Sequence, residues 1–163
     1  MSEENKELFK IALAFVLKWE GGFVNDPDDK GGATNKGITQ TTYNSYLKSK
    51  KQKTKSVKNI TQAEVEDIYF NRYWLAAGCN KMSKKFAVLC FDTAVNMGTG
   101  VVKATGMTRN EEFLRAAQYK YTDRYIAAKR AKYNEFARVP SQKKFLNGWL
   151  NRLNAVQKFI ETI

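Results

Sequence analysis

The sequence predicts an all-α protein with about six or seven helices and little or no sheet. Three observations carry that expectation. Apolar residues recur at helical spacing along most of the chain, Thr-x-x-Glu patterns open two of those stretches, and only two prolines in 163 residues are available to break them. Hydrophobic residues at 43% and aromatics at 13% are enough for one sizeable core without disulfide or metal support, so residues 1–163 are expected to form a single domain.

The elements follow in order. Leu8, Ile11, Ala12, Phe15, Val16 and Trp19 give the first helix, from about residue 5 to 20, one apolar face, and Gly21-Gly22 stops it. The segment to Thr39 is rich in Gly, Asp, Asn and Thr and reads as loop, with a short β-like excursion at Ala33 to Ile38. Thr39 caps a second helix carrying Tyr43, Tyr46 and Leu47. Six lysines between Lys48 and Lys58 then mark a solvated connection or a contact surface for an anionic polymer. Thr61-Gln62-Ala63-Glu64 is a capping box for a helix through Val65, Ile68, Tyr69 and Tyr73, whose aromatics read as core, with a cleft edge at Tyr73 and Trp74 as the alternative. Phe86 to Met97 is apolar on most sides except Asp92, Thr93 and Asn96, which predicts a buried central helix ending at Gly98 and polar groups that need partners. Thr108-Arg109-Asn110-Glu111 opens a long helix toward Phe136, and Pro140-Ser141 introduce a last one lined by Phe145, Trp149, Leu153, Val156 and Ile160.

Composition removes several function classes. Histidine is absent, which excludes Ser-His-Asp and Cys-His nucleophiles, His-ligated zinc and phosphohistidine chemistry. Acid–base work must fall to carboxylates, lysine or tyrosine. Cys79 and Cys90 do not form a CxxC pair and read as packed thiols, with a disulfide between them as the alternative. A net charge of +12 calls for a polyanionic partner: nucleic acid, an anionic membrane face, or a bacterial wall. Nucleic acid is not expected, because the lysines are not interleaved with aromatics and no RNP or zinc motif occurs. The apolar run Ile11 to Leu17 is too short to span a bilayer and lacks a small-residue cleavage site, so it reads as a mature helix.

Chemistry concentrates in Trp19-Glu20-Gly21-Gly22-Phe23 and the acidic loop after it. Glycoside cleavage needs an acid for the departing oxygen and usually a second carboxylate. Glu20 suits the first role, since a helix C-terminus and the apolar bodies of Trp19 and Phe23 would both favour its protonated form. Asp26, Asp28 and Asp29 are candidates for the second; Asp29 is preferred because it precedes the flexible Lys30-Gly31-Gly32. Thr34 offers a hydroxyl to orient water. The plainer alternative is a glycine helix stop followed by a solvated or calcium-like turn, and the loop lacks the alternating ligands of an EF-hand.

The segment Glu20-Gly21-Gly22-Phe23 with Asp29-Lys30-Gly31-Gly32-Ala33-Thr34-Asn35-Lys36-Gly37-Ile38-Thr39 resembles the signature of the glycoside hydrolase 108 family, lysozyme-like N-acetylmuramidases of phage endolysins and of wall-remodelling proteins linked to export. The similarity continues at Phe91-Asp92-Thr93-Ala94-Val95-Asn96-Met97-Gly98. It ends with Pro140 to Arg152, which is similar to that family's C-terminal peptidoglycan-associated region. The resemblance implies a lysozyme-like helical fold, a catalytic part over 1–98 and peptidoglycan-associated helices over 99–163 packed on it. It implies that Glu20 is the essential acid, with Asp29 and Thr34 completing a Glu-Asp-Thr arrangement, and that Asn96 lines the cleft opposite and hydrogen-bonds the sugar. Asp92 would brace the central helix, and Trp149 and Arg152 would fix the last one. The implied partner is bacterial peptidoglycan, with no metal or organic cofactor. Made in the cytoplasm without a signal peptide, such an enzyme would reach the periplasmic wall through a holin, an exporter or lysis. A non-catalytic wall binder or export activator and a lytic transglycosylase are the competing readings.

Overall fold

The computed structural model describes residues 2–25, 32–104 and 118–163. It is mostly helical: α1 (Glu3–Leu17), a two-stranded hairpin of β1 (Thr34–Asn35) and β2 (Ile38–Thr39), α2 (Gln40–Ser49), α3 (Gln62–Tyr69), α4 (Lys84–Met97), α5 (Thr99–Ala104), α6 (Gln118–Phe136) and α7 (Leu146–Ile160). The Thr108 capping box, like Asp26, Asp28 and Asp29, lies outside the described residues.

Helix α4 is the axis of the molecule. Every residue from Phe86 to Ala94 is buried, and α1, α5, α6 and α7 pack around it. Phe91 sits among the rings of Phe9, Trp74 and Tyr69, at centroid separations of 5.8, 5.4 and 6.3 Å in edge-to-face arrangements. Trp74 is fully buried, with its indole N–H donating to Asn5 Oδ1 at 3.1 Å, so it belongs to the core and not to a cleft edge. Cys79 and Cys90 are buried free thiols.

The local signals are realised. Thr39 Oγ1 accepts the Thr42 amide at 3.2 Å to open α2, Thr61 and Glu64 form the reciprocal capping box of α3, and Gly98 at φ +90° closes α4. Helix α3 passes into a π-helical turn over Phe70–Leu75. Pro140-Ser141 lie earlier than expected relative to the last helix, which begins at Leu146 after a 3-10 turn at Lys143–Phe145. Phe145 therefore stays largely exposed, while Leu153, Val156 and Ile160 enter the core.

The first helix departs most from expectation. It starts at Glu3 on the Ser2 cap and stops at Leu17, because Lys18 and Trp19 turn inward to bond the carbonyls of Phe15 and Val16 at 3.2 and 2.9 Å. Glu20 thus lies beyond the helix. Ile11 and Trp19, read as part of the buried face, are exposed, and Phe9 and Leu13 take their place. The lysine-rich connection is mostly exposed but buries Val57, holds its backbone to Asn35 and Gln40, and is tied to α3 by two of its lysines. Lys55 pairs with Glu64, which also accepts the Tyr43 hydroxyl; Lys50 pairs with Asp67, which accepts the Tyr46 hydroxyl.

Candidate active site

The hairpin sets the frame for Glu20. Asn35-Lys36-Gly37-Ile38 turns in two residues with both central φ angles positive, Lys36 at 51° and Gly37 at 75°, the geometry that suits the strand twist. The chain leaving α1 is sewn to this hairpin. Val24 and Thr34 exchange amide bonds of 2.8 Å in each direction, and the Lys36 amide donates to the Gly21 carbonyl at 3.0 Å. Glu20 is consequently held against the turn. A Cβ on Gly37 would stand 2.8 Å from Glu20 Oε2 and 2.5 Å from the Tyr69 hydroxyl, so glycine is required on steric as well as conformational grounds. Tyr69 fixes the same turn by donating to the Lys36 carbonyl at 2.8 Å.

The Glu20 side chain is 19% exposed, and the group that faces it most closely is a cation. Arg152 Nη1 on α7 donates to Glu20 Oε1 at 2.8 Å. Trp19 and Phe23, the apolar neighbours expected to cover Glu20, are each about 40% exposed. Arg152 also donates through Nε to Asp92 Oδ1 at 2.8 Å, and Lys129 Nζ on α6 takes Asp92 Oδ2 at 2.9 Å. Asp92 is completely buried, as are nearly all of the Lys129 and Arg152 side chains, so four charges of alternating sign run inward from Glu20. Charges this deep are tolerated only when each is paired. Burial acts to lower the guanidinium pKa, but Asp92 and Glu20 outweigh it and hold Arg152 above its ordinary range. Burial pushes Lys129 down, against the pull of Asp92. Arg152 Nη2 is buried with no hydrogen-bond partner among the described residues.

Phenols complete the surroundings. Burial, reinforced by the negative charge of Glu20, raises Tyr69 far above the usual phenol range, and burial likewise raises Tyr73, so both stay neutral donors. Asn96 lies one turn after Asp92 on α4 and donates to the Tyr133 hydroxyl at 3.0 Å; the Tyr133 ring stacks on Trp149 at 5.3 Å. Through Tyr133, over whose ring Lys129 Nζ lies at 5.7 Å, Asn96 borders the buried charges. Thr34 sits on β1 of the hairpin that carries Gly37.

Residues 13–98 match the profile of the family described as Glycosyl hydrolase 108. The chain belongs to that family. This glycosyl hydrolase 108 protein therefore acts on a polysaccharide. The matched span contains Glu20, the hairpin, Asp92 and Asn96, but neither Lys129 nor Arg152. A solved structure reaches further: SagA of Brucella abortus is 26% identical, with a TM-score of 0.69 over 96% of this chain and 95% of that one. Nothing among curated proteins matches the sequence.

Gly37, Tyr69 and Lys129 are the site residues that the sequence reading did not single out, and it gave Arg152 only the part of fixing the last helix. A signal for Arg152 was present: it is the one cation on the α7 face shared with Trp149 and Val156, as Asp92 is the one anion within the apolar run of α4. A buried charge of each sign on neighbouring helices calls for a pair. Arg152 does tie α7 to the core, as expected, and in addition touches the candidate acid.

Proposed function

We propose that this glycosyl hydrolase 108 protein cleaves the β-1,4 bond between N-acetylmuramic acid and N-acetylglucosamine in peptidoglycan, with Glu20 as the general acid. The observation that carries the reading is the seat of Glu20: a partly exposed carboxyl, locked between the Gly37 turn, Tyr69 and Arg152, within the span that matches the family. Proton donation leaves Glu20 anionic, and Arg152 at 2.8 Å stabilises that product state, which drives the transfer toward the departing sugar oxygen. Asp29 is assigned to the second carboxylate and Thr34 to orientation of the attacking water, with Asn96 on the sugar. The charge of +12 draws the enzyme to an anionic polymer, and we place its action at the bacterial wall.

The test is digestion of purified peptidoglycan by the wild type, Glu20→Gln and Asp29→Asn, with mass spectrometry of the released sugars. Reducing-end muramic acid from the wild type, and a loss of about 100-fold or more in Glu20→Gln, is the expected result. Anhydro ends, with Asp29→Asn fully active, would instead make the protein a transglycosylase. Binding to sacculi without release by any variant would remove the hydrolase reading.

A further inference from the structure

We propose that Asp92 and Lys129 are positioning residues that set, through Arg152, the pH range over which Glu20 keeps its proton. The inference rests on the reading of Glu20 as the acid. Arg152 Nη1 donates to Glu20 Oε1 at 2.8 Å, so whatever holds the guanidinium also acts at the acid. Arg152 is not alone. Its Nε is committed to Asp92, whose second oxygen is committed to Lys129, and both partners are shielded from water, where charge interactions are weakly screened. Asp92 draws the guanidinium inward and opposes its charge at Glu20; Lys129 in turn tempers Asp92. The two buried residues therefore push the acid in opposite directions.

Among the described residues, the other groups facing the network add little charge. Tyr69 of α3 and Tyr73 of the π-helical turn face Glu20, and Tyr125 and Tyr133 of α6 face Asp92. Cys90 of α4 faces Lys129. All five are neutral through the working range because burial raises them.

The experiment is the pH–activity profile on purified peptidoglycan for the wild type, Asp92→Asn and Lys129→Met, together with carbon-13 NMR titration of the Glu20 carboxyl, assigned by its loss in Glu20→Gln. Asp92→Asn should move the alkaline limb and the titration to lower pH, and Lys129→Met should move both to higher pH, each by on the order of one unit. Reduced activity with both limbs unmoved would overturn the proposal and leave Asp92 and Lys129 as fold-holding ions. Asp92→Asn strands a buried lysine, so if it fails to fold, Lys129→Met decides alone, since Asp92 keeps Arg152. If Glu20→Gln stays active, the general-acid reading fails, and the NMR titration still reports whether the buried pair governs the Glu20 carboxyl.

Discussion

Gly37 is placed so that Glu20 leaves no room for a side chain: an added Cβ would fall 2.8 Å from Oε2 and 3.1 Å from Cδ of that carboxylate. Its φ of +75° is unfavourable for any other residue as well. Gly37→Ala should therefore displace the Glu20 carboxyl, lowering turnover at least about 10-fold while costing about 1–2 kcal/mol of stability. Turnover on peptidoglycan and thermal unfolding of the same variant check the two effects. Gly148 is the control. It lies inside α7 with nothing within 4 Å of an added Cβ, so Gly148→Ala should raise stability by up to about 1 kcal/mol and leave turnover unchanged.

Arg152 is the shared partner of two carboxylates, and its removal leaves Asp92 with Lys129 alone and Glu20 with no ion pair among the described residues. Arg152→Met should lose about 3–5 kcal/mol. Arg152→Lys restores the charge without the fork that reaches both acids, and should recover part of the stability and little of the activity. Urea denaturation beside turnover distinguishes the two variants.

Acid sensitivity should trace to Glu64. Burial acts to raise its pKa, but bonds from the Thr61 amide, Lys55 and Tyr43 outweigh that and bring it from 4.5 to about 2. A depressed carboxyl stabilises the fold above its unfolded value and loses that contribution as pH falls through the folded one, here between about 4.5 and about 2. Glu64→Gln should flatten the stability curve in that window and cost about 1–2 kcal/mol at neutral pH. Thermal melts from pH 7 down to pH 2 give the comparison.

Cys79 and Cys90 should be inert in the native protein. Burial pushes both thiols far above their usual range, and neither side chain meets solvent. A disulfide-exchange reagent at pH 8 should leave both unmodified over the time in which the unfolded chain reacts fully. Rapid labelling of the folded protein would show that the core near α4 opens.

What could be read in advance divides by range. The Thr39 and Thr61 caps, the β-like excursion at Ala33 to Ile38, which proves to be part of a two-stranded hairpin, and the buried α4 are written in a few adjacent residues. Gly21-Gly22 is a strong local stop signal, yet α1 ends at Leu17, where Lys18 and Trp19 close it in a 3-10 turn and the hairpin captures Gly21 and Val24. Glu20 was legible as a carboxylate beside a turn. Its charged neighbour was not, since Arg152 arrives from 132 positions away and only packing of α7 on α4 brings it in.

That same separation orders events during synthesis. Residue 20 leaves the ribosome long before residue 152, so a nascent chain carries Glu20 but not its counter-ion until α7 has been made and docked. A chain released before α7 would present Glu20 without the cation that pairs with it.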